Sequence, residues 1–595
     1  MPARDQPLDS DNSAITEQPQ APVSMKISLD AKGHEVHSKD VSGDSEKQDI
    51  QPEPHDDVEK VEHALPPKQF VAAYLLIFVM EFIHEMSSGI FGVLDPYVTS
   101  EFNKHSLTAT TTVVANIASA AVSLPYAKLV QVWGRTQGFA LMILLLTIGI
   151  IMMAACKNVE TYCAAQVFYN IGYNNIKFSI VLFVADTTAI RNRAFLIGIV
   201  SSPTLATMWA YGPATQRILD TIGFRWGFGM WAIIYPVAFM PLLTLFYITQ
   251  RVLQSKRPSS SVSPHRTWAQ LVVHWCQEFD VVGIFIIAVG LGLLLLALDI
   301  YSYQANSWKS PLIICFIVFG SLLIPGFALY EKHLAKSTFI PWHLFTNRTV
   351  VFTNIMVLTL QAAEMMASAY LYSLLIVVFR QSVSNATYIS NIYYIGSVVM
   401  NLIIGVALRF YGRIKYYALF VAVPFIMLGT GLMIKFRTTD SHIGYLVLCQ
   451  ILIAFGGGML YPIEQMTLMA VSAHEHVPAL LAVESVFALT GKAIGYAISG
   501  AIWTGMFEDK LVEYLPVSEL PNLGEIYGSL EVQSAYPAGS AAFKAICLAY
   551  GDTQRIILIV STCILVLTGS CVLFWQDVDV KEMKYLRDRA KLEAL

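Results

Sequence analysis

From Phe70 onward, runs of mostly apolar residues alternate with short polar connections. A helix crosses a bilayer core in about 20 such residues, and with that length as the ruler fourteen runs stand out. They fall near 69–93, 108–130, 137–156, 161–185, 194–214, 226–249 and 279–298. The rest lie near 310–330, 350–379, 386–408, 416–434, 441–470, 478–506 and 555–575. The run at 108–130 is the most polar, with a Thr cluster and Pro125. The pattern predicts an all-α membrane protein with 14 transmembrane helices. Residues 1–68 depart from it: they are rich in Asp, Glu, Ser, Gln, Pro and Lys and show no helical period. Such a segment buries too little apolar surface to offset its ordering entropy, so a disordered tail is expected there. No short apolar core follows a basic start, which excludes a signal peptide.

Composition agrees: 55% of the 595 residues are apolar and 14% charged, against about a quarter charged in soluble domains. The net charge of −4 gives no reason to expect a nucleic-acid partner. Eight scattered cysteines form no CxxC pair or zinc pattern. No G-x-x-x-x-G-K-[ST] loop is present, so neither ATP-driven transport nor enzymatic activity is expected. Most Lys and Arg residues fall in alternate connections, Arg135, Arg193, Arg251, Lys332 and Arg413 among them. The bias predicts both termini on the cytoplasmic side. On that topology the sequon at Asn385 lies outside, close to the membrane, and the one at Asn347 lies inside.

Two connections look alike. AKLVQVWGRTQGFAL (127–141) follows the second run and GVALRFYGRIKYYAL (405–419) the tenth, each placing Gly-Arg seven residues after a small residue: Gly134-Arg135 and Gly412-Arg413. Two copies at corresponding places point to duplicated halves, the plan of many secondary transporters. Both resemble the G-x-L-x-D-R-x-G-R-[KR] signature of the major facilitator superfamily. Ala127 stands for the leading Gly in the first, and Gln131 and Arg409 stand where the signature has Asp, which removes the carboxylate expected to touch the neighbouring span. Further on, GGGMLYPIEQMTLMAVSAHEHVPALLAV, GKAIGYAISGAIWT and AYGDTQR are similar to the fungal siderophore–iron transporter family of that superfamily.

The resemblance implies a major facilitator fold: two six-helix bundles plus two extra spans. The expected division is a cytoplasmic tail over 1–68, a first bundle over 69–249, a connection with the two additional spans over 250–349, a second bundle over 350–575 and a cytoplasmic tail over 576–595. An external loop is expected at 507–553. The resemblance further implies proton-coupled symport of ferric hydroxamate siderophores by alternating access, with iron carried inside its chelator and no resident cofactor. The implied partners are the ferric siderophore, protons and the lipid bilayer. A monomer is expected, in the plasma membrane, with endosomal vesicles as the other residence.

Chemistry enters the pattern first at FVMEFIHEM (78–86). At 100° per residue, Glu81 and Glu85 lie one turn apart on nearly one face, with His84 about 60° to the side. Intramembrane ionisable groups mark ion or substrate pathways by default, and a desolvated carboxylate beside a His suits proton coupling. Two other readings stand beside it. Glu-x-x-His is half of a di-iron motif, though no second copy lies in a span, and the three side chains can also simply bond neighbouring helices. In the fourth span Tyr169, Asn170, Tyr173, Asn174, Asn175 and Lys177 are candidates to hold a carbonyl-rich chelate, or to act as helix–helix glue. In the second half Glu364, Glu464, Gln465, Glu484 and Lys492 stand isolated among apolar residues, and Gly491, Gly495 and Gly500 beside them point to close helix packing, with a hinge as the other reading. At the end of the long loop and the start of the last run, the resemblance implies that Tyr550 and Arg555 help receive the chelate; an interfacial tyrosine is the other reading of Tyr550.

A drug–proton antiporter or a glutathione–proton exchanger of the same superfamily shares the plan. Against the drug antiporter, Phe168 stands four residues before Gly172 where Arg is usual, and GPATQR (212–217) replaces G-P-x-x-G-G.

Overall fold

A computed structural model describes residues 67–101, 108–188, 190–255, 277, 280–301, 304, 307–335, 346–438, 441–472 and 476–579. The predicted tail 1–68 up to residue 66, positions 256–276 of the basic connection, and positions 580–595 lie outside them.

A helix lies on each of the fourteen predicted runs. The first six are α1 (Pro67–Glu101), α2 (Thr108–Val132), α3 (Arg135–Ala155), α4 (Val159–Thr187), α5 (Asn192–Thr221) and α6 (Gly223–Ser255). Then come α7 (Val281–Ile300) and α8 (Pro311–His333). The last group opens with α9 (Arg348–Val377), α10 (Val383–Tyr411), α11 (Ile414–Phe436), α12 (Ile443–Ala470) and α13 (Val477–Tyr514). Two short helices, α14 (Leu523–Gly528) and α15 (Leu530–Ala535), precede the final α16 (Ala541–Leu573). Among the described residues 11 helices are long and apolar enough to cross a membrane. The exceptions are α2, with its Thr and Ser residues, α4, with its Asn residues and Lys177, and α7, whose apolar stretch is the shorter Val281–Leu294. Among the described residues no strand forms; Arg413 and Asp579 make one isolated bridge.

Local sequence explains where several helices begin. Asn158 accepts from the Thr161 amide at 2.9 Å to start α4, Asn347 from Thr349 at 2.9 Å to start α9, and Ser540 from Phe543 at 3.1 Å to start α16. Each side-chain oxygen satisfies an amide that the first turn leaves unbonded. The loop expected at 507–553 is shorter than predicted. Helix formers carry α13 on to Tyr514, and the Ser540 cap starts α16 fourteen residues before the predicted run.

The duplicated plan shows in the packing. Gly134 and Gly412 both take positive φ, 103° and 78°, which a side chain would strain. Small residues also bring α3 onto α4 and α11 onto α12 in the same way. A Cβ on Gly172 would fall 2.7 Å from the Leu146 amide nitrogen, and one on Gly429 2.9 Å from the Cys449 carbonyl. Such contacts let backbones approach where lipid gives no hydrophobic drive. One apolar core runs through α1, α3, α4 and α6, around Phe91, Phe139, Tyr162 and Phe228, and reaches the near ends of α12 and α13. A second runs through α9–α12 and α16, around Met356, Ile426, Met459 and Leu558. Gly491 and Gly495 of α13 meet the backbone of α9 at Leu358 and Ala362, as close packing requires, whereas Gly500 has open space beside it.

The first Gly-Arg turn keeps a charge contact despite Gln131: Arg135 pairs with Asp186 at the end of α4. The second is tied differently. Lys415 donates to the carbonyls of Leu573 and Trp575 at 2.8 and 2.7 Å, and the chain after α16 folds back beneath α9. There the Gln576 amide donates to Thr349 Oγ1 at 3.0 Å, and Phe574 stacks on Phe352 with centroids 4.5 Å apart. Within α9 the helix breaks at Ala369–Tyr370, where Tyr370 has φ 54°. Arg437, 2% exposed, donates to the carbonyls of Ala367 (2.6 Å) and Ala369 (2.9 Å) freed by the break.

Candidate functional site

Between the two groups of helices lies a cavity of about 1990 Å³, roughly twice the top of the ~300–1,000 Å³ range of drug-sized sites. Its first-half wall comes mainly from α1, α4 and α5, its second-half wall from α9, α10, α12 and α13. Gly528, Ser529, Leu530 and Ser534, from α14, α15 and the turn joining them, line it at one end.

The titratable trio of α1 divides. Glu81 and Glu85 line the cavity, but His84 does not. The 60° offset turns the imidazole into the crevice between α4 and α6, where it is fully buried, stacks on Tyr173 at 4.0 Å and lies 3.1 Å from the Tyr235 hydroxyl. Ser87 donates to the His84 carbonyl at 2.9 Å and its hydroxyl lies 2.5 Å from that of Tyr235. The expectation that all three share one cavity-facing stripe is corrected accordingly.

On α4, Tyr173, Asn174 and Lys177 line the cavity, while Tyr169 and Asn170 do not. Tyr169 packs on Phe91 with centroids 5.1 Å apart. The Asn170 amide is spent on Gln166, donating to its carbonyl at 2.9 Å and its Oε1 at 3.1 Å. Asn174 donates to Ser119 of α2 at 3.1 Å, so it serves as glue and lining together. Lys177 pairs with Glu85 of α1, and Tyr173 donates to the same carboxylate at 3.5 Å. That cross-helix ion pair was not foreseen, because two separate apolar runs say nothing about which of their faces meet.

Glu364, Glu464, Gln465, Glu484 and Lys492 all line the opposite wall. The Tyr393 phenol hydrogen-bonds Glu364, and Lys492 faces the same carboxylate. Glu464 and Glu484, 1% and 6% exposed, lie within hydrogen-bonding reach of each other. Tyr211 of α5 bridges the halves through Asn391 of α10, whose amide donates to the phenol at 2.9 Å. Trp209 and Tyr388 meet across the same gap with centroids 4.9 Å apart. Sequence reasoning passed over Asn391, Tyr393 and Tyr394. The signal was present in NIYYIGS, an Asn–Tyr cluster in an apolar run like the one that drew notice in α4.

Neither Tyr550 nor Arg555 reaches the cavity. Because α16 starts early, Tyr550 lies beneath the loop, 1% exposed, donating to Gln533 at 2.7 Å and packed against Trp503 and Phe507. Gln533 in turn donates to the Ile526 carbonyl at 2.6 Å, so Tyr550 anchors α14 and α15. Arg555 is exposed. Among the described residues no three His, Cys, Asp or Glu side chains converge to hold a bare metal ion. The cavity is instead a wide, tyrosine-rich chamber whose carboxyl groups come from both halves.

A large chamber set with carboxyl, amide and phenol groups between two repeated helical groups is the plan of a membrane transporter, and the family model described as Major Facilitator Superfamily matches residues 77–379. Within that superfamily the chain belongs to the fungal siderophore–iron transporters. It is 44% identical over 517 residues to MFS siderochrome iron transporter 1 of Ajellomyces capsulatus, covering 87% of this chain and 88% of that one. MFS siderochrome iron transporter D of Aspergillus fumigatus is 36% identical over 521 residues, 87% of this chain and 86% of its own. Among solved structures, the human organic anion transporter MFSD10 superposes with a TM-score of 0.51 at 10% identity. That match covers 84% of this chain and all of the other, and it is a likeness of fold alone.

Proposed function

We propose that this protein imports ferric hydroxamate siderophores together with protons, exposing its cavity alternately to the two sides of the membrane. The observation that carries the reading is the 44% identity, over 87% of the chain, to a protein named as a siderochrome iron transporter. The chamber supports it. Its volume suits a bulky cargo, and its tyrosines, amides and lysines supply donors for chelate carbonyls. Its buried carboxyl groups give protons a place to bind. The iron travels inside its chelator and needs no ligand from the chain. With both termini cytoplasmic in the plasma membrane, each coupled proton gains about 2.3 kcal/mol per 100 mV of membrane potential.

The test expresses the chain in cells stripped of their own siderophore uptake and follows labelled ferric hydroxamates at two external pH values. Saturable accumulation, faster at the more acidic pH and abolished by a protonophore, is the expected result. No pH-dependent accumulation of any hydroxamate sinks the proposal.

A further inference from the structure

The contact between Glu464 of α12 and Glu484 of α13 contains no protein donor. Both side chains line the cavity yet are nearly closed off from water. Their carboxyl groups lie within hydrogen-bonding reach, and Glu464 Oε2 is buried without a hydrogen-bond partner in the protein. An ionised carboxylate only accepts, whereas a carboxylic acid has one O–H to give. Two buried carboxylates in contact repel each other, and neither can donate to the other. A single proton between them converts that clash into an O–H···O⁻ bond of the strong, charge-assisted kind.

The surroundings fit one proton. Lys492, on α13 with Glu484, supplies a positive charge, and Glu364 of α9 faces the site while bonded to Tyr393. Tyr461 of α12 faces it too, with Lys177 of α4 on the opposite wall. The first-half wall differs, since Glu85 already has its counter-charge in Lys177.

We infer that the Glu464–Glu484 carboxyl pair holds and carries the exchangeable proton of the transport cycle. The inference rests on the importer reading above and locates its coupling on α12 and α13 rather than on α1. A proton from water on the open side bonds to one carboxylate oxygen, and the new O–H donates to the other carboxylate. When the cavity opens to the opposite side, that O–H bond breaks and the proton passes to water there. Both carboxylates are then charged, with Lys492 beside them. No electron moves.

The test uses the full chain purified into lipid vesicles, with Glu464→Gln and Glu484→Gln, which keep shape but cannot take up a proton. A gradient of about one pH unit sustains about tenfold accumulation per coupled proton. Wild type should concentrate a ferric trihydroxamate to that degree, and each variant should stop at equal concentrations inside and out. Both variants should still exchange labelled for unlabelled chelate without a gradient, which shows that they fold and bind. A variant that accumulates as wild type does overturns the inference. Infrared spectra of the purified protein read the same proton with no cargo present. A carboxylic C=O band that titrates in wild type should vanish in both variants, and a band unchanged in both overturns the inference. If wild-type vesicles concentrate no chelate while the band behaves as expected, the importer reading falls and the proton site stands.

Discussion

On the wall built by α1 and α4, Glu85 meets Lys177 across two helices; on the wall built by α9, α12 and α13, carboxyl meets carboxyl beside Lys492. The scaffold beneath both walls is repeated: Gly-Arg turns with positive φ, and glycine contacts joining α3 to α4 and α11 to α12. The charges are not. Duplication therefore provided two equivalent frames, and each frame carries a different arrangement of ionisable groups. A matched pair supplies each charge with its counter-charge from within the protein, whereas an acceptor–acceptor contact changes its energy each time a proton comes or goes.

That contrast can be broken most severely at Lys177. Lys177→Ala leaves Glu85 without its cation while the site still sees cavity water, the lysine side chain being 39% exposed. The expected loss is about 2–3 kcal/mol, between the ~0–1 of surface pairs and the ~3–5 of fully buried ones. It reads out as a lower melting temperature of the purified protein, with Lys177→Met/Glu85→Leu recovering much of it. A melting temperature unmoved by Lys177→Ala would mean that the pair contributes nothing to holding α1 against α4.

Next in size are the turns, where the two frames can be compared directly. Gly134 sits at φ 103°, ψ 158°, a region nearly closed to side chains, so Gly134→Ala should cost about 2 kcal/mol. Gly412 sits at φ 78°, ψ −15°, close to the left-handed region, and Gly412→Ala should cost about 1 kcal/mol. Thermal unfolding of the two variants side by side gives the order, and a reversal would show that packing rather than backbone strain sets the cost.

The smallest effect is expected at Tyr550. Tyr550→Phe removes the hydrogen bond to Gln533 and should cost about 0.5 kcal/mol. It should loosen α14 and α15, visible as faster amide exchange there, and leave the ranking of chelates carried unchanged. A changed ranking would put Tyr550 in contact with the cargo after all.

Much of the frame was legible because the bilayer allows so few solutions: an apolar run of about 20 residues must be a helix, and a helix was found on every one. The ionisable residues stood out for the same reason, and Glu81, Glu85, Lys177, Glu364, Glu464, Glu484 and Lys492 do converge on one chamber. Direction was the harder matter. Helical periodicity set His84 60° from Glu81, on the side away from Glu85, but only the positions of Tyr173 and Tyr235 decide that this offset leads into a closed crevice. Tyr550 was misjudged because the apolar ruler starts the last helix late, while the Ser540 cap starts it early and carries the tyrosine under the loop. Nothing in the sequence around Arg437 marks it as the cap of the broken α9, because the carbonyls it bonds lie some 70 residues upstream.

The fold-back after α16 also bears on how the chain is assembled. Thr349 at the head of α9 waits for the amide of Gln576, 227 residues downstream, and the carbonyls of Ala363 and Tyr370 wait for Ser561 and Gln554 of the last helix. At about 5–20 residues per second on the ribosome, α9 spends roughly 10–45 s in the membrane before these partners emerge. The second half of the protein is thus completed only once α16 and the residues just after it have emerged. A message cut short before α16 leaves those two carbonyls of α9 without the donors that Ser561 and Gln554 supply.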